Sequence, residues 1–175
     1  MLDSDAFPDL VFLDGQGRET RLRAGAATGR IRAVAAHLAA RGGRPGACVG
    51  LMQPTGPDLV LNWLACLEAG LRPLVMQYPT RKQSRAYWAE SVRDTVAVAE
   101  VAAVVADARC VELGLPGLVP ATVPQGNLDA LPEAGHDAAP LRLRDFAIVR
   151  RGGSSATSAP SPPCPADSRR RTRTR

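Results

Sequence analysis

A few side chains in this sequence could do chemistry, and their spacing brings none of them into a reacting set. The cysteines Cys48, Cys66, Cys110 and Cys164 include no close pair of the kind that holds zinc or cycles as a redox couple. Cys48 and Cys66 fall in apolar runs and read as small core fillers. His37 has no partner at metal-ligand spacing and reads as a solvated or structural histidine. His136-Asp137 would need a nucleophile to work as a dyad; none can be placed, so it reads as a polar loop pair. Pro54-Thr55-Gly56 has the outline of an anion-binding turn but lacks the glycines and lysine of a phosphate-binding loop. Trp63 is expected in the core rather than as a substrate platform, and Tyr87 as a packed or half-buried side chain. No catalytic residue and no metal site is assigned.

The elements that must position these residues centre on Arg44 to Thr80. A short apolar run, Ala47–Met52, ends at the breakers Pro54, Gly56 and Pro57. A helical pattern follows over Asp58–Ala69, then Gly70, then a second apolar run, Leu71–Met76, before Pro79. Short apolar runs flanking an apolar helix predict a βαβ unit with parallel strands buried under helices. Asp58 sits in the first turn, where a carboxylate suits the free amides, and Gly70 supplies a left-handed stop. Ligands of open α/β sheets bind beyond the strand ends, which makes Gln77–Thr80 a candidate pocket edge, although it reads first as a loop that only turns the chain.

On either side of this unit the pattern continues. Leu10–Leu13 and Glu19–Leu22, joined by Asp14-Gly15-Gln16-Gly17, predict a β-hairpin, with no catalytic role for Asp14. Thr28–Ala40 predicts a helix with Thr28 as its cap and Gly42-Gly43 as its stop. Gln83–Val98 predicts a second amphipathic helix, and Val101–Ala106 a strand ending at Asp107, whose carboxylate can cap a turn over Ala108–Glu112. Leu118–Val123 is expected as a strand and Pro124–Pro140 as a loop.

Residues 1–149 carry 15 Lys/Arg against 16 Asp/Glu, whereas 150–175 carry seven arginines and one aspartate. The net charge of +5 is therefore a property of the tail. Lys82 is the one lysine, and the excess of arginine and alanine points to a GC-rich coding sequence. No apolar run is long enough to cross a membrane, and Met1-Leu2-Asp3 does not open like a signal peptide. A cytoplasmic protein without a disulfide framework is expected.

Pro45-Gly46, the strand Val49–Met52, Pro54-Thr55-Gly56-Pro57-Asp58, the helix core Leu64–Leu67, Ala69-Gly70 and Pro79 occur in an order and spacing that resembles the N-terminal part of the adenylate-forming, AMP-binding superfamily. Its members include acyl-CoA synthetases, luciferases and peptide-synthetase adenylation domains. A looser likeness extends from Asp9 to Val149. The resemblance implies an α/β fold: a partial three-layer sheet with parallel βαβ units and an N-terminal hairpin. It also implies that a full-length relative uses ATP and Mg to turn a carboxylic acid into an acyl-adenylate, then passes the acyl group to coenzyme A or a carrier protein.

In that family a strand like Leu143–Val149 feeds a loop of the form Ser-Gly-Thr-Thr-Gly-x-Pro-Lys that grips phosphates. Ser154, Ser155, Thr157 and Ser158 can be laid over it, but Ala156 and Ala159 replace its glycines, no lysine follows, and Arg150–Gly153 intervene. We read this as a degenerate phosphate loop. The expected organisation is an N-terminal subdomain fragment over 1–149, inactive alone and needing no cofactor of its own. A disordered Ser/Pro/Arg-rich tail over 150–175 is expected to follow. The composition change after Val149 is also what an altered reading frame would give. Two rival readings stand beside this one. The chain could be a non-enzymatic α/β partner domain or remnant. It could also be a weak nucleotide- or nucleic-acid-binding protein acting through Arg169–Arg175, although nothing upstream resembles a nucleic-acid module. A truncated sheet would expose an apolar edge.

Overall fold

The computed structural model describes residues 7–41 and 44–132. Its centre is the strand β3, Cys48–Met52, buried at every position. In chain order, β1 (Leu10–Leu13) and β2 (Glu19–Leu22) are followed by helix α1 (Ala24–Ala40), β3, α2 (Pro57–Glu68), β4 (Arg72–Val75) and α3 (Arg85–Ala99). Then come β5 (Val101–Ala106), α4 (Ala108–Glu112), a 3-10 turn at Leu115–Gly117, β6 (Thr122–Pro124) and α5 (Gln125–Asp129).

The sheet runs β4-β3-β5-β6 with every neighbouring pair parallel. Because successive side chains point to opposite faces, β3 feeds two cores. Val49 and Leu51, with Val105 and Val123, pack against Ile31, Val34 and Leu38 of α1 and Leu61, Ala65 and Cys66 of α2. Cys48 and Met52, with Val104 and Ala106, pack against Trp88 and Val92 of α3, Cys110 of α4, and Leu115. Helices therefore cover both faces, as the parallel arrangement requires. The predicted three-layer α/β organisation and the βαβ unit are present. A side chain on Gly50 would run into the Met76 sulfur and lie 3.1 Å from Val104, so this glycine lets the second core close over the middle of β3.

The hairpin β1–β2 pairs Leu10 with Leu22 and Leu13 with Glu19. Its turn is held by the Asp14 carboxylate, which accepts from the amides of Gln16 (2.8 Å) and Arg18 (2.9 Å) and pairs with the Arg18 side chain at 2.6 Å. That places Asp14 in a structural role. Gly70 follows α2 with φ 69°, and its carbonyl accepts from the Gly46 amide at 2.7 Å, closing the entry to β4 against the entry to β3.

Several expectations are corrected. Helix α1 starts at Ala24, a turn before Thr28; the Ala24 amide donates to Asp9 Oδ1 at 2.8 Å, so a carboxylate from ahead of the hairpin serves the free helix end. Thr28 is buried inside the helix and is not its cap. Helix α3 begins at Arg85, with the Ser84 hydroxyl accepting from the Tyr87 amide. Tyr87 is 61% exposed and Trp63 40% exposed, so neither is the packed side chain the sequence leads one to expect. The strand expected over Leu118–Val123 is only Thr122–Pro124, and the loop expected after it contains α5. Burial of Gln125 and Leu128 against the sheet end stabilises that short helix, a tertiary effect that local composition does not carry. The Gly42-Gly43 stop, His136-Asp137, Cys164, the strand Leu143–Val149, the Ser154–Ser158 segment and the arginine tail lie outside the described residues.

Leu51 has no exposed surface. Leu51→Ala should lower the unfolding free energy by about 3 kcal/mol in denaturant titration. Gly70→Ala should cost about 1 kcal/mol through its left-handed backbone.

Candidate functional site

The order of the sheet reverses at β3: β4 lies on one side and β5 on the other. Beyond the C-terminal ends of such strands the diverging connections leave a crevice. Here it measures about 340 Å³ and is lined by Gln53 to Asp58 after β3, Asp107 after β5 and Gln125 after β6.

Its floor is a buried amide cluster. Gln53 is the first residue past β3, Asn62 lies on α2, and Gln125 opens α5; they are 4%, 1% and 8% exposed. Gln125 Oε1 accepts from Gln53 Nε2 at 2.6 Å and from Asn62 Nδ2 at 2.8 Å, while Asn62 Nδ2 also reaches Gln53 Oε1 at 3.0 Å. Gln125 Nε2 donates to Asp129 at 2.7 Å, and Asp129 pairs with Arg30 of α1 at 2.7 Å. Arg30 also donates to the Leu128 carbonyl. One polar seam thus ties α1, α2, β3 and α5 together, with each amide partnered as burial demands.

The carboxylates at the mouth differ. Asp58 is held above the usual carboxylate range, first by desolvation and then by the nearby Asp129, with Arg30 pulling the other way. At Asp107 burial acts upward, but hydrogen bonds from the Tyr78 hydroxyl and the Cys110 amide, with Arg109 close by, hold the carboxyl below its usual range. Tyr78 donates to Asp107 Oδ2 at 2.6 Å, and its own pKa is pushed up to about 12 by burial and by that carboxylate. Asp107 also caps α4 through the Cys110 amide at 3.0 Å, as the sequence predicts.

The remaining candidates are not drawn into this crevice. Gln77 and Thr80 line an open surface hollow with Lys82, Gln83, Ser84 and Tyr87. Cys48, Cys66 and Cys110 are buried free thiols. Burial raises the pKa of all three, Cys66 to about 12 with Cys48 adding to the effect, so they stay protonated near neutral pH. His37 is held below its usual range by burial and by Arg41. Among the described residues no group of three or more His, Cys, Asp or Glu is placed to hold a metal ion. No helix among them is long and apolar enough to cross a membrane.

The amide cluster escapes a reading based on motifs. Its one local signal is Asn62, a polar residue within the apolar run Leu59-Val60-Leu61-Asn62-Trp63-Leu64. Gln53 and Gln125 stand 72 positions apart and meet only through the sheet order.

Asn62→Ala should cost about 2 kcal/mol by leaving buried acceptors under-satisfied, measured by thermal or denaturant unfolding. Folded Tyr78 keeps its proton up to about 12, whereas the unfolded chain releases it near the ordinary value of 10.0, so stability should fall as pH rises through that window. An ultraviolet titration should show this late tyrosine ionisation, and Tyr78→Phe should remove it and flatten the stability loss.

The sequence matches a family model described as AMP-binding enzyme over residues 3–166, a span that includes Ser154, Ser155, Thr157 and Ser158. A search of curated proteins finds no match. In fold the chain is similar to the fatty acyl-adenylate ligase from L. pneumophila in complex with acyl adenylate and pyrophosphate, at 21% identity and TM-score 0.59, covering 71% of this chain and 21% of that one. It is similar to a benzoate CoA ligase from Burkholderia xenovorans LB400, at 20% identity and TM-score 0.56, covering 78% of this chain and 28% of that one. It is also similar to the N-terminal domain of FACL13 from Mycobacterium tuberculosis, at 15% identity and TM-score 0.53, covering 69% of this chain and 32% of that one. The chain thus spans 21% to 32% of the length of these solved structures. The matched family model takes in most of the sequence, and the chain belongs to the AMP-binding enzyme family.

Proposed function

We propose that this chain supplies the N-terminal scaffold of an ATP-dependent acid–thiol ligase and does not catalyse the reaction alone. The whole enzyme would join a carboxylic acid to ATP as an acyl-adenylate, release pyrophosphate, and transfer the acyl group to coenzyme A or a carrier-protein thiol. The observation that supports this most is the family match across a parallel sheet whose strand ends open a crevice at the point of reversed order. Two of the structural relatives, an acyl-adenylate ligase and a CoA ligase, are in keeping with it.

The described crevice does not suit a triphosphate on its own. The crevice presents Asp58 and Asp107 and is lined by no lysine or arginine, so it has no cation to balance a triphosphate. Its chemistry is that of a scaffold edge with amide and carboxyl groups. On this proposal the chain divides into a domain over 1–149 and a tail over 150–175. The nucleotide sequence from the Val149 codon onward tests the frame-change origin of that tail: another frame encoding a Gly/Thr/Lys loop would support it, and the absence of one would end it. The buried free thiols suit a reducing, cytoplasmic setting.

The purified chain should show no acid-dependent exchange of pyrophosphate into ATP with aliphatic or aromatic carboxylic acids. Clear turnover by the chain alone would overturn the scaffold reading.

A further inference from the structure

A second, smaller cavity, of about 90 Å³, lies between the start of α3 and helix α4, on the sheet face away from α1 and α2. Thr80, Gln83, Arg85, Trp88 and Arg109 are among its lining. Trp88 is 1% exposed, and its indole N–H has no acceptor among the described residues. Both polar atoms of the Gln83 amide are buried and equally unpartnered there. Buried polar atoms in folded proteins are nearly always paired. Three unmet atoms on two residues that line one cavity therefore mark a place that a polar group fills.

The charge around the cavity says which kind. Arg85 and Arg109 line it and no carboxylate does. Among the described residues neither arginine is in a salt bridge. Asp107 offsets part of the Arg109 charge, but its oxygens are engaged by the Tyr78 hydroxyl and the Cys110 amide, and it lines the other crevice. The Arg109 guanidinium is 5.7 Å from the Tyr78 ring centroid, which limits its sweep. The cavity also sits at the N-terminal end of α3, a helix of 15 residues, where the free amides favour negative charge.

We infer that this cavity binds a phosphate-type oxyanion, either free phosphate or the phosphate group of a monoester. The indole N–H, the Gln83 NH₂ and the two guanidiniums donate to its oxygens, and Gln83 Oε1 accepts from the one protonated oxygen of hydrogen phosphate. Water alone would satisfy the indole and the amide; a phosphate would in addition meet the two guanidiniums, which are exposed beside the cavity. The volume suits a single phosphate group and not a nucleotide. The inference stands on this cavity and does not rest on the ligase reading.

The test uses the full chain with ¹⁵N-labelled indoles. The chain has two tryptophans, and Trp63→Phe assigns their signals. Inorganic phosphate and glycerol phosphate are titrated separately against sodium chloride and sodium acetate at matched ionic strength. The Trp88 indole signal should move saturably with phosphate or with the monoester while that of Trp63 stays in place. A response to phosphate identifies a free-phosphate site, and a response to glycerol phosphate alone identifies an ester site. Arg85→Gln combined with Arg109→Gln should weaken the apparent affinity at least tenfold, with the unmoved Trp63 signal reporting an intact fold. The inference is overturned if Trp88 responds to neither anion, if chloride or acetate moves it equally, or if the double variant binds as the parent does.

Discussion

The whole arrangement depends on one strand being dry on both sides. Cys48 to Met52 has no exposed position, so each of its side chains must meet an apolar partner from a different helix. The chain meets this demand by alternation: Val49 and Leu51 toward α1 and α2, Cys48 and Met52 toward α3 and α4. The backbone of β3 then has hydrogen-bonding partners only in its own sheet plane, and β4 and β5 supply them in parallel register. Gly50 is part of the same constraint, because only a residue without a side chain lets Met76 and Val104 close over the strand. Once β3 is fixed, the strand order reverses around it, and that reversal opens the crevice beyond Gln53.

The apolar part of this plan was legible in the sequence because it is written locally. Ala47–Met52, the helix after Asp58 and Val101–Ala106 carry their periodicity within a few residues each, and their positions match the structure closely. Asp107 was also legible, since a carboxylate at a strand end before a helical turn has one obvious local use. The start of α1 was not, because its free amide is met by Asp9, fifteen positions away. Trp63 was misplaced for a related reason: its helical neighbours Leu59, Val60, Cys66 and Leu67 are apolar, yet its own side chain is left partly uncovered, and Tyr87 sits on a polar face beside Ser84 and Glu90. The amide cluster was the least visible feature. Gln53, Asn62 and Gln125 are unremarkable in isolation and become a unit only when β6 is laid beside β5.

The two polar regions described here are built on opposite principles. In the amide seam each group is matched, down to the Asp129–Arg30 pair that ends it. Such a seam fixes how four elements meet and has little left to offer a ligand. Around Gln83 and Trp88 the groups are buried and, among the described residues, unmatched, with two arginines beside them. Satisfied polar groups hold a structure together, while unsatisfied ones store an affinity that a visiting molecule can release.

Proline at position 73 gives β4 a further property. The amides of Arg72 and Met76 point inward, to the carbonyls of Ala47 and Leu51. Because directions alternate along a strand, the outward sites of β4 are Pro73 and Val75. Pro73 has no N–H to give, which leaves Val75 as the lone outward donor of the strand. A stray strand seeking to extend the sheet there would find a broken template, even though Val75 presents an oily surface to it. Among the described residues, the outer margin of β4 thus offers an added strand one donor fewer than an unbroken edge of the same length would.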